Sequence, residues 1–269
     1  MPDDLFLWFI VIGFVAQLVD GALGMAYGVI STSAMIALGV PPAFASANVH
    51  AAEVFTTAAS GVSHSVAKNV DWAVFWRLAL FGAAGGAAGA FLVSLADTDL
   101  MRPAIAAYLF AMGGIVIWKG LRPRGSTPKL GRVRLLGLFG GMADAIGGGG
   151  WGPVVASNLI ARGGDPGKMV GTVNLAEFFV TLAVSGAFLL ALGPTFGKAA
   201  LGLLIGGVAA APIAAWAARR IPRKLFTVIV GVVICAVSLY NLCRYQYLLQ
   251  CRRLMTSQRK NPHHDAAVS

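Results

Sequence analysis

The strongest constraint on this chain is that it is written twice. At an offset of 124 positions, Asp20 falls on Asp144, Gly24 on Gly148, Gly28 on Gly152 and Ser33 on Ser157. Gly39 falls on Gly163, Pro42 on Pro166, Ala52 and Glu53 on Ala176 and Glu177, Phe55 on Phe179 and Thr57 on Thr181. No gap is needed between residues 20–57 and 144–181. Self-similarity on this scale means two copies of one unit, and it is read before any local motif.

The units belong in a membrane. Of 269 residues, 57% are hydrophobic and 12% are charged, and the mean hydropathy is +0.75. A soluble domain carries about 25% charged residues. The net charge of +10 invites a nucleic-acid reading. The basic residues instead cluster in loops and at segment ends, as the positive-inside bias places them, so no nucleic-acid partner is expected. The start, MPDDLFLWF, lacks the basic region of a cleaved signal. Cys235, Cys243 and Cys251 form no CxxC and read as small apolar helix residues.

Residues 5–38 are apolar but interrupted by Asp20, Gly21, Gly24 and Gly28. A straight helix of that length runs about 51 Å, against a hydrocarbon core of about 30 Å. That is too long for one span and too short for two, so a broken or re-entrant pair is expected. Full spans follow at 43–66, 72–95 and 103–118, and the pattern recurs as a broken unit at 135–160 and spans at 169–192, 199–218 and 225–242. The expected divisions are a first repeat over 1–118, a basic linker over 119–134, a second repeat over 135–243 and a polar basic tail over 244–269.

The linker carries Lys119, Arg122, Arg124, Lys129, Arg132 and Arg134 and no acid, which places it in the cytoplasm. If each broken stretch is re-entrant, each repeat has three full spans and the repeats are inverted. The basic tail then lands outside. If the broken stretches cross fully, the repeats are parallel and the tail is inside. Inverted repeats with broken helices recur among transporters, so the expected fold is an all-α polytopic membrane protein of two inverted repeats. The small-residue faces at Gly82 to Gly89 and Gly202 to Gly206 can pack within one chain or between two, which leaves a homodimer open.

His50, Glu53 and Thr57 share one helix face, as do Asn174, Glu177 and Thr181. An ionised carboxylate at bilayer depth costs at least about 2.5–3.5 kcal/mol, and Asp20, Glu53, Asp144 and Glu177 raise that cost four times. Acids there face a cavity, share protons or bind an ion. The structural alternative is a protonated acid bonded to a neighbouring helix. The duplicated placement favours proton coupling or gating by Asp20, His50, Glu53, Asp144 and Glu177.

Gly147, Gly148, Gly149 and Gly150, followed by Trp151, Gly152 and Pro153, read as a turn into a new half-helix. Gly24 and Gly28 stand in the matching place. Unpaired N–H groups at a half-helix start favour an anion, although glycine also simply permits the turn. Ser33, Ser157 and Asn174 complete the expected substrate contacts. His50-x-x-Glu53 has Asn174 as its counterpart, so no metal site is assigned. No catalytic motif and no cofactor signature occurs, and the chain is not expected to be an enzyme.

DGALGMAYGVIS, SANVHAAEVFTTAASG, DAIGGGGWGP and GTVNLAEFFVT resemble the sulfite exporter TauE/SafE family of membrane permeases, over about residues 6–242. The resemblance implies a multi-pass secondary transporter in the inner membrane that moves sulfite, sulfonates or related small anions out of the cytoplasm, with its site at the repeat interface. The first repeat departs from the family at Gly24-Met25-Ala26-Tyr27-Gly28, where a fuller glycine cluster is usual. The competing readings are a metal-cation permease using the four acids and His50, and a membrane assembly protein that transports nothing.

Overall fold

A computed structural model describes residues 3–23, 25–121, 133–156, 158–159, 166–194, 197–217 and 223–260. The first half holds α1 (Asp3–Leu23), α2 (Tyr27–Ala37), α3 (Pro42–Val66), α4 (Trp72–Leu95) and α5 (Thr98–Leu121). The second holds α6 (Val133–Gly147), a π-helical turn (Gly152–Ala156), α7 (Pro166–Leu192), α8 (Lys198–Ala217) and α9 (Arg223–Lys260). The duplication survives as register: α3 and α7 both begin on the proline of the repeat, where a missing N–H costs nothing. Asp71 caps α4 by accepting from Ala73 N at 3.0 Å and Val74 N at 3.1 Å.

Two expected boundaries move. α5 begins at Thr98 rather than at residue 103 and holds Pro103 inside it. Asp97 accepts from Asp99 N at 2.7 Å and starts the helix earlier. The last helix does not stop at residue 242 but continues to Lys260, since nothing between carries a breaker. Three of the six expected spans, α4, 98–118 of α5 and 168–192 of α7, are long and apolar enough to cross a membrane among the described residues. α3 is 25 residues long but fails on polarity. Its Ser46, Asn48, His50, Glu53 and Thr57 are all buried, so the polar content points inward. Outside, Trp8, Trp72, Trp76, Leu80, Leu95 and Leu190 are exposed, an apolar perimeter suited to lipid.

The repeats interlock. α1 packs on α8 and α4 packs on α6, while α3 lies against α7 and α5 against α9. Close approach explains the small-residue faces. A Cβ on Gly85 would collide with the Leu138 carbonyl, and one on Gly206 with the Ile10 carbonyl. Both faces that left a homodimer open are therefore used within the chain.

Contacts also fix direction. Ser60 meets Asn174 and His64 meets Gly171, so α3 and α7 run antiparallel. Asp99 meets Tyr245 and Gly113 meets Gly231, so α5 and α9 do too. α1 and α8 run parallel, with Phe6 at Gly202 and Phe14 at Gly206. Ala200 N donates to Asn48 Oδ1 at 3.1 Å, so α1, α3 and α8 all start at one end. Asp71 N donates to Thr172 Oγ1 at 2.8 Å, and this end gathers the finish of α3 and the start of α7.

Candidate functional site

Each broken unit closes on its own acid. Asp20 Oδ1 accepts from Tyr27 N at 3.4 Å, and Asp144 Oδ1 accepts from Trp151 N at 2.9 Å. The spacing is seven residues in both. The carboxylate folds back over the turn and caps the half-helix that follows, where the helix dipole favours negative charge. The anion position expected at each half-helix start is thus met first by the chain itself.

The two turns touch. A Cβ on Gly28 would sit 2.7 Å from Gly149 Cα and 3.1 Å from Glu53 Oε1. Thr32 donates its hydroxyl to the Gly148 carbonyl, and Tyr108 donates to Gly149 O at 3.0 Å. Gly148 has φ +66 and Gly150 φ +150, backbone that glycine adopts without penalty. The counterpart of Gly150 is Ala26, and it too is forced to φ +92.

Around this contact lies a cleft lined by Asp20, Glu53, Asp144 and Glu177, together with Gly28 and Gly149. All four acids singled out in the sequence converge there, two from each repeat. The free space among them holds about one water molecule at most, so the site is closed down. Trp151 is fully buried and donates Nε1–H to Val173 O at 3.2 Å, and Tyr27 donates to Leu203 O at 3.2 Å. These equivalent aromatics both line the cleft. Glu53 Oε2 is buried without a partner, the one cleft carboxylate oxygen so placed among the described residues.

His50 stands behind the cleft. Its Nε2 lies 3.1 Å from Asp144 Oδ2 and its Nδ1 lies 2.8 Å from Ser46 O. A backbone carbonyl only accepts, so Nδ1 carries hydrogen. The contact to Asp144 then needs one further proton, held either by the ring or by the carboxyl. Ser46 Oγ donates to Ala145 O at 2.6 Å, which fixes α3 against the end of α6.

The other expected contacts separate. Asn174 donates to Ser60 Oγ at 2.9 Å and does not line the cleft. Ser33 is buried, with its carbonyl taking Asn241 Nδ2 at 3.1 Å, and faces α9. Gly147 packs against Tyr108 and Gly148 against Thr32. Gly24 and Ser157 lie outside the described residues. Tyr27, Trp151, Thr32, Ser46 and Tyr108 were not singled out as site residues. Only the first two left a signal, an aromatic at the same place in each repeat.

The comparisons with known proteins agree with this architecture. The family described as Sulfite exporter TauE/SafE matches residues 9–241. A probable membrane transporter protein, YtnM of Bacillus subtilis (strain 168), is 42% identical over 240 residues, covering 86% of this chain and 80% of its own length. No solved structure matches the chain. Two interlocked helical repeats, closed on a shared acidic cleft and matched over nearly their whole length, make this multi-pass membrane protein a transporter, not an enzyme, and a member of the TauE/SafE sulfite exporter family.

Proposed function

We propose that the chain is a secondary transporter that exports a small oxyanion, such as sulfite or an organosulfonate, together with protons. The observation that carries this is the meeting of both half-helix starts with all four acids in one cleft. The repeats are read as inverted and the broken units as re-entrant. The antiparallel pairing of α3 with α7 and of α5 with α9 supports this, as does the shared end at which α1 and α3 begin. A closed cleft between two such halves is what rocking one repeat against the other would open to either side.

Charge dictates the coupling. An oxyanion cannot share so small a cleft with four ionised carboxylates, so it binds with protons on some of them. Glu53 and Glu177, which reach the cleft from mid-length of α3 and α7, are the carriers; Asp20 and Asp144 hold the turns. A dianion leaving with one proton carries one net negative charge outward. That gains about 2.3 kcal/mol per 100 mV of inside-negative potential. Moving the proton against one pH unit costs about 1.4 kcal/mol. Export therefore stays downhill.

Four acids also favour a second reading, permeation of a metal cation. Against it, no group of three His, Cys, Asp or Glu among the described residues is arranged to hold a metal ion. Competition in proteoliposomes separates the two. Labelled sulfite flux that unlabelled sulfite suppresses and divalent cations leave unchanged supports the anion. The reverse pattern supports the cation. The linker and tail limits at 119–134 and 244–269 stay part of this proposal and rest on the sequence alone, whereas the two faces that suggested a homodimer are occupied within the chain.

A further inference from the structure

A second cavity lies at the opposite end of α2 from the cleft. It is lined by Ile36, Arg102, Asn241, Arg244 and Tyr245, from α2, α5 and α9. No acid lines it. Arg102 Nε is buried without a hydrogen-bond partner.

The arginines are not needed to finish α2. Leu38 N bonds Ala34 O at 3.0 Å, Gly39 N bonds Ile36 O at 2.9 Å and Val40 N bonds Met35 O at 3.0 Å. Gly39 takes the left-handed turn, φ +92, that ends a helix. Beyond this, Arg244 Nη1 donates to Ala37 O at 2.5 Å, and Arg102 Nη2 reaches Gly39 O at a long 3.4 Å. A guanidinium has five donors in a planar fork, so each keeps most of them. Tyr245 and Asn241 are held in place by bonds to Asp99 O at 2.5 Å and Ser33 O at 3.1 Å.

We infer that this cavity is a binding site for a tetrahedral oxyanion, clamped between the Arg102 and Arg244 guanidiniums. Two guanidinium forks on a cavity that no acid lines match the oxygens of a sulfate- or phosphate-type group. The group is either a free oxyanion or the phosphate of a lipid. In the inverted reading this end faces outward, which explains why basic residues sit where the positive-inside bias does not want them. The site does not rest on the cargo assigned to the cleft.

The test uses the full chain in phosphatidylcholine nanodiscs, titrated calorimetrically with inorganic sulfate, and native mass spectrometry of the purified protein. For a free oxyanion, the wild type binds sulfate, and R102Q/R244Q binds it at least about tenfold more weakly, the loss expected when charge-assisted bonds go. For a lipid phosphate, the wild type ignores sulfate but retains phosphatidylglycerol through purification, and R102Q/R244Q does not. If the double variant does not fold, R244Q, whose side chain is exposed, must show the same losses. The inference is overturned if sulfate affinity and retained lipid are unchanged in these variants. It is also overturned if sulfate binding is lost in Glu53→Gln and kept in the arginine variants.

Discussion

His50 Nε2 lies 3.1 Å from Asp144 Oδ2, and the contact joins the third helix of one repeat to the first helix of the other. Both side chains are buried. The same carboxylate caps Trp151 through its other oxygen. One residue thus holds the turn of the second repeat and couples it to the first. The first repeat has no equivalent, because the counterpart of His50 is Asn174, which turns to Ser60 instead.

Removing that carboxylate should be costly. Asp144→Ala leaves His50 and the Trp151 N–H without their partner, and breaking a buried pair costs about 3–5 kcal/mol. Asp144→Asn keeps an acceptor for Trp151 and can donate its amide to His50. Thermal unfolding in detergent should show a large drop for the alanine variant and a small one for asparagine. Equal drops would mean that the pair does not brace the fold.

The backbone at Ala26 makes a prediction of opposite sign. Its φ of +92 disfavours any side chain by about 1–2 kcal/mol. Ala26→Gly should stabilise the protein by about 1 kcal/mol and so raise the unfolding temperature, and Ala26→Val should lower it. A lowered temperature for Ala26→Gly would show that turn entropy outweighs strain there.

Helix contact predicts a matched pair. A Cβ at Gly85 runs into the Leu138 carbonyl, while one at Gly114 meets nothing within 4 Å. Gly85→Ala should destabilise by more than 1 kcal/mol, within the 1–3 kcal/mol typical of overpacking. Gly114→Ala should be neutral or stabilise by up to about 1 kcal/mol, the helix propensity difference. Similar unfolding temperatures for both would contradict the α4 to α6 packing.

Most of the site was legible because the chain repeats. Asp20 and Asp144, and Glu53 and Glu177, stand out as pairs, and a pair of acids in apolar surroundings has to converge on something. What the acids do locally was not legible. Their back-reach to Tyr27 and Trp151 depends on a turn whose geometry no residue type specifies, least of all Ala26. Tyr108 was hidden for the opposite reason. It holds Gly149 from α5, but its counterpart is Val232, so symmetry gives no hint of it. The polar face of α3 read as a span with buried function. Its polarity also removes α3 from the helices apolar enough to cross on composition alone.

The cleft glutamates carry the coupling in this account. Glu53→Gln and Glu177→Gln preserve shape and hydrogen bonding but cannot exchange a proton. Each should fold, with an unfolding temperature close to that of the parent. Each should also lose at least about tenfold of gradient-driven flux, a loss of about 1.4 kcal/mol. Undiminished flux in both would remove the proton role from them.

The most direct test is efflux of labelled sulfite from proteoliposomes holding the purified chain, with and without an imposed pH gradient. The account predicts efflux that exceeds protein-free vesicles and changes with the gradient, and that loses this response in Glu53→Gln and Glu177→Gln. Efflux of sulfite and of organosulfonates no faster than from empty vesicles, with or without the gradient, would contradict it.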